Sequence, residues 1–287
     1  MITLADFENY IQRETDLKLD ETLIKLLFEN FFSNLKPSPH PELIVLGGSP
    51  GAGKTHYRRK FLNPSNFHIH DMDEVLIRLP DYQRDSEQFG KKIAFERWWP
   101  TAQKISNVMV RFAFRHHYNV IYDRTCGTEE SFLDLKAIHA RKKYHIVMYG
   151  FWVSEGIALA RIKEREKHEN RTVTPEITKE YLRRFSALWQ NYIAITNEAY
   201  LLDNNPDAEY RKIYEKIGSV ERTFNLDHYM RFLISGWELN FSEKFPGVKR
   251  INRFSHFSRP SDLSDKNTKK SMQDATKMIM PLTKSRL

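Results

Sequence analysis

The sequence has few of the features that direct a chain to a membrane or to an oxidising compartment. Its 287 residues include one cysteine, Cys126, so no disulfide can form within the chain. No apolar run approaches the roughly 20 residues that a membrane-spanning helix needs. The first eight residues are acidic and amphipathic, unlike a signal peptide. These absences predict a soluble, cytoplasmic protein that needs no membrane, and they leave delivery into another cell open.

The net charge of +8 is distributed unevenly along the chain. Residues 241–287 contain 11 lysines and arginines and 4 acidic residues, a net charge of +7, so the other 240 residues carry only +1. Because residues 1–240 are close to neutral, the net charge does not favour nucleic acid as a partner of the whole protein. Hydrophobic residues make up 40% of the chain, which is enough for one large domain with appendages.

Residues 43–55 contain the motif around which the rest of the chain is organised. Four apolar residues predict a buried strand, and Gly48-x-x-x-x-Gly53-Lys54-Thr55 follows as a full match to the P-loop pattern. Glycines allow successive backbone N–H groups to surround a phosphate at the start of a helix, where an anion is favoured. The predicted nucleotide-binding residues are Gly48, Ser49, Pro50, Gly51, Ala52, Gly53, Lys54 and Thr55.

The P-loop assigns separate roles to its last two residues. Lys54 is expected to reach the β- and γ-phosphates of ATP or GTP, and Thr55 is expected to bind Mg²⁺. The alternative is a glycine-rich turn that binds nothing, but the strand–loop–helix context favours the P-loop.

Two carboxylates follow the next predicted strand, residues 67–70. Asp71 and Asp73 come at its carboxyl end, which is where ligands bind in open α/β sheets. One can accept the proton of an attacking hydroxyl, and the other can orient that hydroxyl or a Mg²⁺-bound water. The alternative is that one of them only caps a helix predicted over residues 74–79.

A third predicted strand, residues 119–122, also ends in a carboxylate. Asp123 is a candidate for contact with Mg²⁺-bound water or substrate, and a hydroxyl follows at Thr125. Further along, the polar segment 166–175 is predicted to form a mobile lid. Arginines beside a lid suit phosphoryl transfer, because negative charge spreads over the equatorial oxygens. The arginines of this region are Arg161, Arg165 and Arg171, and a solvated helix face is the alternative for each.

Shorter patterns complete the assignment of helices and strands. Thr174 is predicted to cap a helix that has Pro175 at its first position, and Asp20 to cap an N-terminal helix. Further helices are predicted over 4–15, 19–34, 86–117 (kinked or divided at Pro100), 129–141, 157–168, 175–199 and around 226–239, and further strands over 145–149 and 200–202.

The alternation of strands and helices predicts an α/β fold, a P-loop kinase-like parallel sheet with helices on both faces. The expected organisation is an N-terminal helical extension (1–41), a kinase domain (42–206), a C-terminal helical segment (207–246) and a basic, loosely ordered tail (247–287).

With these residues placed, the chain resembles the zeta-toxin family of P-loop kinases over residues 42–206. The resemblance is carried by the P-loop, Asp71-Met-Asp73 with the Pro80-Asp-Tyr that follows, residues 120–125, the segment from Arg165 to Pro175, and Asp203-Asn204-Asn205. It implies that Asp71 deprotonates a sugar hydroxyl and that Asp123 and Thr125 contact the substrate. It also implies that Arg165 and Arg171 stabilise the transferring phosphoryl group.

The same resemblance suggests the acceptor and a partner. The best-known members phosphorylate the 3′-hydroxyl of the amino sugar in UDP-N-acetylglucosamine, and a plant-pathogen effector relative phosphorylates NAD. A nucleotide sugar or dinucleotide is therefore expected, with an antitoxin-like protein as partner. Two positions depart from the family: Asp123 stands where glutamate is common, and Asn107 where a further glutamate is found.

Two other functions are consistent with parts of the sequence. A polynucleotide or RNA-end kinase would use the tail to bind a phosphate backbone and stack on bases. The tail residues concerned are Arg250, Arg253, Phe254, His256, Phe257 and Arg259. A non-catalytic nucleotide-binding switch is the second alternative. Such a switch needs no acceptor base, so Asp71 argues against it.

Overall fold

The structure is a computed structural model that describes residues 2–169, 173–237 and 239–251. Contacts group the described residues up to Lys249 into one compact unit. The strands are β1 (Glu42–Gly47), β2 (Phe67–His70), β3 (Asn119–Asp123), β4 (His145–Trp152), β5 (Glu198–Asp203), β6 (Arg211–Ile217) and β7 (Val220–Thr223).

Helices surround this sheet. They are α1 (Leu4–Glu14), α2 (Glu21–Phe31), α3 (Lys54–Phe61), α4 (Met72–Leu76), α5 (Pro80–Phe89), α6 (Lys91–Arg115), α7 (Glu129–Ala140), α8 (Glu155–Glu169), α9 (Pro175–Ile195), α10 (Leu226–Ser235) and α11 (Phe241–Lys244). Among the described residues, none of these helices is long and apolar enough to cross a membrane.

The seven strands form one sheet in the order β2-β3-β1-β4-β5-β6-β7. Strands β1 to β5 are parallel, whereas β6 and β7 run antiparallel at one edge. The predicted α/β fold with helices on both faces is therefore confirmed, and the antiparallel hairpin is an addition that the sequence patterns did not indicate. Central strand β1 is buried along nearly its whole length, as expected when helices cover both faces of a parallel sheet.

The register brings the predicted site residues to one edge of the sheet. Leu46 in β1 pairs with Asp123 at the end of β3, and His70 in β2 pairs with Tyr122 one residue earlier. Because parallel strands end at the same edge, the P-loop, Asp71 and Asp123 follow three neighbouring strands at the same level.

The N-terminal helices pack directly on the main layer of helices. Phe7 in α1 is fully buried, and its ring lies 5.1 Å from the ring of Phe112 in α6 and 5.1 Å from that of Phe32 after α2. The predicted N-cap of α2 is confirmed, since the carboxylate of Asp20 accepts a hydrogen bond from the backbone N–H of Leu23 at 2.7 Å. The predicted domain boundaries stay a prediction.

Two stretches that the sequence singled out are outside the described residues. The predicted lid includes residues 170–172, so Arg171 is among the residues that the structure does not describe. Residues 252–287, which include most of the basic tail, are also outside. In the described part of the lid, the backbone N–H of Val173 donates a hydrogen bond to the carboxylate of Glu166 at 3.1 Å, and the hydroxyl of Thr174 accepts one from the backbone N–H of Ile177 at 3.4 Å.

Candidate active site

The P-loop adopts a backbone that depends on its glycines. Gly51 and Gly53 have φ angles of +78° and +94°, in the left-handed region that side chains disfavour. A Cβ on Gly51 would lie 2.5 Å from the carbonyl oxygen of Ala158. One on Gly53 would lie 2.9 Å from the hydroxyl of Tyr210. The loop therefore has the open, glycine-lined form that a phosphate cradle needs, at the N-terminus of α3.

Lys54, the first residue of α3, folds back over the loop. Its ammonium group donates to the carbonyl oxygens of Gly48 at 2.8 Å and Ser49 at 3.2 Å. Both carbonyls belong to the loop itself, so the positive charge lies beside the predicted phosphate site. This is the position that a phosphate-binding lysine requires.

Side chains from α8 and from the connection between β5 and β6 support the loop. The amide of Asn204 donates to the carbonyl of Ala52 at 2.9 Å, and the hydroxyl of Tyr210 donates to that of Gly53 at 2.9 Å. Arg161 in α8 bridges the carbonyls of Gly51 at 3.4 Å and Asn204 at 2.8 Å. Arg161 is thus in contact with the loop, whereas Arg165 lies one helical turn further along α8 and is half-buried. No sequence pattern indicated Tyr210, which follows the end of β5 by seven residues.

Thr55 and Asp123 supply an oxygen pair suited to a magnesium ion. The Thr55 hydroxyl donates to Oδ2 of Asp123 at 3.4 Å. Within the described residues there is no cluster of three or more metal-ligating side chains. Mg²⁺ usually takes only one or two protein ligands and completes its shell with phosphate oxygens and water, so this pair fits it.

Asp71 caps a helix and also lies at the candidate site. Its Oδ1 accepts the backbone N–H of Asp73 at 3.0 Å, and Asp71 is therefore the N-cap of α4. At the same time its side chain is only 14% exposed and lies at the sheet edge beside α3. Asp73, the second predicted carboxylate, is exposed to solvent. A capping role for Asp71 accordingly does not remove it from the site.

A buried arginine that the sequence analysis did not single out joins the two strand-end carboxylates. Arg58 in α3 donates through Nη2 to Oδ2 of Asp71 at 2.7 Å, and its Nε lies 3.7 Å from Oδ2 of Asp123. Its side chain is 5% exposed. The available signal was position, since Arg58 follows Lys54 by four residues and shares its face of the helix.

Burial dominates the electrostatics of both carboxylates. It raises the pKa of Asp71, and the charge of Arg58 opposes that increase while Asp73 and Glu74 add to it. Burial likewise raises the pKa of Asp123, against the charges of Lys54 and Arg58. A carboxylate whose pKa is raised is a better proton acceptor when ionised, which suits a general base.

The residues after Asp123 divide between the loop and a buried polar network. Thr125 contributes its backbone carbonyl, which accepts the N–H of Gly48 at 3.1 Å. The guanidinium of Arg124 donates to the amide oxygen of Asn107 at 2.8 Å and lies 3.0 Å from Nε2 of His70. Burial, followed by the charge of Arg124, lowers the pKa of His70 well below its ordinary value, so this imidazole is neutral and accepts the bond.

A cavity of about 580 Å³ extends from this network between α6 and α7. Arg124, Asn107 and Tyr122 are among the residues that line it. Its further lining is rich in cations, namely Arg111, Arg115, Arg141 and Lys143, with the carboxylates of Glu130 and Asp134. The lining of the cavity is therefore mainly basic.

Comparison with known proteins identifies the family. The model described as zeta toxin matches residues 29–200, more than half of the chain. The chain belongs to the zeta toxin family. No protein of curated function matches the chain. Family membership and the P-loop fold together support a nucleotide-binding, kinase-like function.

Solved structures agree with a zeta toxin fold. The chain is similar to the PezAT chromosomal toxin–antitoxin system of Streptococcus pneumoniae, with 19% identity, a TM-score of 0.56, and coverage of 93% of this chain and 97% of that one. It is also similar to the AvrRxo1-ORF1:-ORF2 complex with ATP, at 13% identity, a TM-score of 0.56, and coverage of 74% and 67%. The AvrRxo1-ORF1:AvrRxo1-ORF2 structure with sulphate ions is similar at 12% identity and a TM-score of 0.55. That match covers 68% of this chain and 64% of the other, so it spans less than two thirds of the neighbour. Identities this low establish the fold alone.

Proposed function

We propose that this zeta toxin family member is a kinase that uses Mg²⁺ and transfers the γ-phosphate of ATP, or of GTP, to a hydroxyl of a small molecule. The acceptor we infer is a nucleotide sugar such as UDP-N-acetylglucosamine or a dinucleotide. The observation that carries the proposal is the arrangement at the edge of the sheet. There a P-loop with its lysine lies beside a buried carboxylate, Asp71, and beside the oxygen pair of Thr55 and Asp123.

The protein's own groups divide the chemistry between them. The P-loop amides and Lys54 bind the phosphates, and Thr55 and Asp123 hold Mg²⁺, which neutralises phosphate charge when it is bound. Asp71 accepts the proton of the acceptor hydroxyl. The hydroxyl oxygen then forms its bond to the γ-phosphorus as the bond to the β-phosphate oxygen breaks, and the nucleoside diphosphate leaves. Arg165 and Arg171 are proposed to stabilise the transferring group.

The basic cavity supports an acceptor that carries phosphate groups. A nucleotide sugar or dinucleotide is long, and its diphosphate requires cations away from the reacting hydroxyl. Arg124, Arg111 and Arg141 line the cavity and meet that requirement. We infer that Asp73, Asp123 and Thr125 contact the acceptor, and that Asn107 stands where a carboxylate would repel the acceptor's phosphates.

An antitoxin-like protein partner is the second part of the proposal. Two structural neighbours support it, because PezAT is a toxin–antitoxin system and AvrRxo1-ORF1 is found in complex with AvrRxo1-ORF2. A cytoplasmic site of action fits the need for ATP and Mg²⁺.

The test is transfer of label from γ-labelled ATP with Mg²⁺ to a panel of UDP-sugars, NAD, nucleosides and RNA ends. Lys54→Ala and Asp71→Asn are run beside the unaltered protein. Lys60→Ala is the matched control, since Lys60 is on the same helix but pairs with Glu209 in solvent. We expect transfer to one nucleotide-containing small molecule, reduced at least a hundredfold in both site variants and unchanged in the control.

Two outcomes would contradict the proposal. Hydrolysis of ATP without transfer to any hydroxyl compound would exclude a kinase with these acceptors. Transfer to RNA ends alone would favour the polynucleotide kinase instead.

A further inference from the structure

Arg58 occupies an unusual place for a cation, at the meeting point of α3, β2 and β3. Its side chain is 5% exposed, and the two carboxylates that face it, Asp71 and Asp123, are 14% and 9% exposed. A buried guanidinium is costly to desolvate and persists only where carboxylates compensate its charge. This arginine is therefore held by the same two side chains that the proposed reaction uses.

The two contacts are unequal. Nη2 makes a short hydrogen bond to Asp71 at 2.7 Å, whereas Nε is 3.7 Å from Asp123 and, within the described residues, has no hydrogen-bond partner. The shorter contact fixes one oxygen of Asp71, and the N–H of Asp73 fixes the other. The carboxylate of Asp71 is thus oriented from two sides, once by the helix it caps and once by α3.

We propose that Arg58 is a positioning residue for phosphoryl transfer, which holds the carboxylate of Asp71 at a fixed place beside Asp123 and the P-loop helix. This inference rests on the proposed function, since it assigns Asp71 as the base. Arg58 and Lys54 lie on one face of α3, so a single helix carries both the phosphate-binding cation and the cation that orients the base. Arg58 acts through Asp71 and is not itself a group that touches the phosphate.

The experiment compares Arg58→Gln and Arg58→Lys with Arg59→Gln, a matched control. Arg59 is the next residue, but its side chain is 69% exposed and pairs with Glu74. With the acceptor found in the panel above, we expect Arg58→Gln to lower kcat at least tenfold and to change KM for ATP less than threefold. Arg58→Lys, which keeps one charge–carboxylate contact, recovers part of kcat, and the control stays within twofold of the unaltered protein.

A double-variant cycle separates positioning from a general loss of structure. If Arg58 acts through Asp71, the kcat of the double variant R58Q/D71N is within threefold of the kcat of D71N alone. Losses that multiply, or an Arg58→Gln protein with unaltered kcat, would overturn the proposal. Should Arg58→Gln fail to fold, the same cycle is run with Arg58→Lys.

A further measurement needs no acceptor and so distinguishes failure of this inference from failure of the proposed function. Melting temperatures of the two single variants and the double variant report whether Arg58 and Asp71 interact in the folded chain. If the double variant loses less in Tm than the sum of the two single variants, Arg58 and Asp71 interact. That result supports the pairing even if no acceptor is found. Additive losses contradict it even if the protein proves to be a kinase.

Discussion

Gly51 is the residue at which the backbone of the P-loop meets α8. Its φ of +78° is strained for any residue with a Cβ, and an added methyl group would lie 2.5 Å from the carbonyl oxygen of Ala158. We expect Gly51→Ala to weaken ATP binding at least tenfold and to lower the free energy of unfolding by about 1–3 kcal/mol. Calorimetric titration with ATP and denaturant unfolding measure the two effects.

Gly156 provides the matched control for that substitution. It lies in α8 itself, two residues from Ala158, and a Cβ there would meet nothing within 4 Å. Gly156→Ala is therefore expected to leave ATP binding unchanged and to stabilise the chain slightly, by about 0.4–1 kcal/mol. Equal ATP affinities in the two alanine variants would show that the loop does not depend on the backbone of Gly51.

At the scale of single residues, local sequence motifs predicted some residues of the candidate site. They did not predict the residues that only the tertiary structure brings there. Lys54, Thr55, Asp71 and Asp123 lie together because each follows the end of a strand, and strand ends can be recognised locally. Arg58 is separated in sequence from Asp71 by 13 positions and from Asp123 by many more, yet it contacts both. Such contacts depend on how α3 is rotated against β2 and β3, which local patterns do not determine.

Among the secondary-structure elements, the parallel strands were the more predictable part. Buried strands of a parallel sheet are continuous apolar runs, and β1 is one of them. Hairpin β6–β7 was missed because Arg211–Ile217 lacks the strict alternation that indicates a strand: its charged and apolar residues come in pairs, and three consecutive residues are buried. The helical region after residue 86 divides at Gly90, where φ is +85°, and Pro100 lies inside continuous α6. A positive φ at Gly90 allows this break, whereas the helix accommodates the proline.

The contact between β2 and the end of α2 gives a prediction about pH. The ring of His68 in β2 is 2% exposed and stacks on Phe32 with 4.7 Å between ring centroids, and burial lowers the pKa of His68 to about 4. Between pH 6.5 and 4 the unfolded chain therefore binds a proton that the folded chain does not, so stability falls as the pH falls. His68→Phe, which keeps the stacking, is expected to remove about 2 kcal/mol of the loss between pH 7.5 and pH 5.

Urea unfolding at several pH values measures this effect. Buried His70 contributes in the same direction, so the variant keeps part of the pH dependence. His139→Gln serves as the control, because His139 is exposed on α7 and its environment changes little on unfolding. The free energy of unfolding of His68→Phe could instead change with pH in parallel with that of the unaltered protein. That result would show that His68 takes up its proton without unfolding.

For the molecule as a whole, the remaining question is whether the N-terminal helices are an appendage or part of the main core. The contacts favour the core: Phe7 is fully buried, and its ring lies 5.6 Å from Phe28, 5.1 Å from Phe32 and 5.1 Å from Phe112 of α6. A tightly packed aromatic group of this kind links α1 and α2 to the helix that covers β3. The zeta toxin family match also begins at residue 29, within α2, and not at the P-loop.

Phe7→Ala tests this organisation. A fully buried phenylalanine replaced by alanine usually costs about 3–5 kcal/mol, and here the cavity would open against α6. If α1 belongs to the core, far-ultraviolet circular dichroism and tryptophan fluorescence report one coincident transition at lower denaturant concentration, with the full loss in stability. Phe89→Ala, at a ring 44% exposed, is expected to cost less than about 1 kcal/mol. Two separated transitions in Phe7→Ala, with the second at the position of the unaltered protein, would instead make the first two helices an independent appendage, because the sheet would then be stable without them.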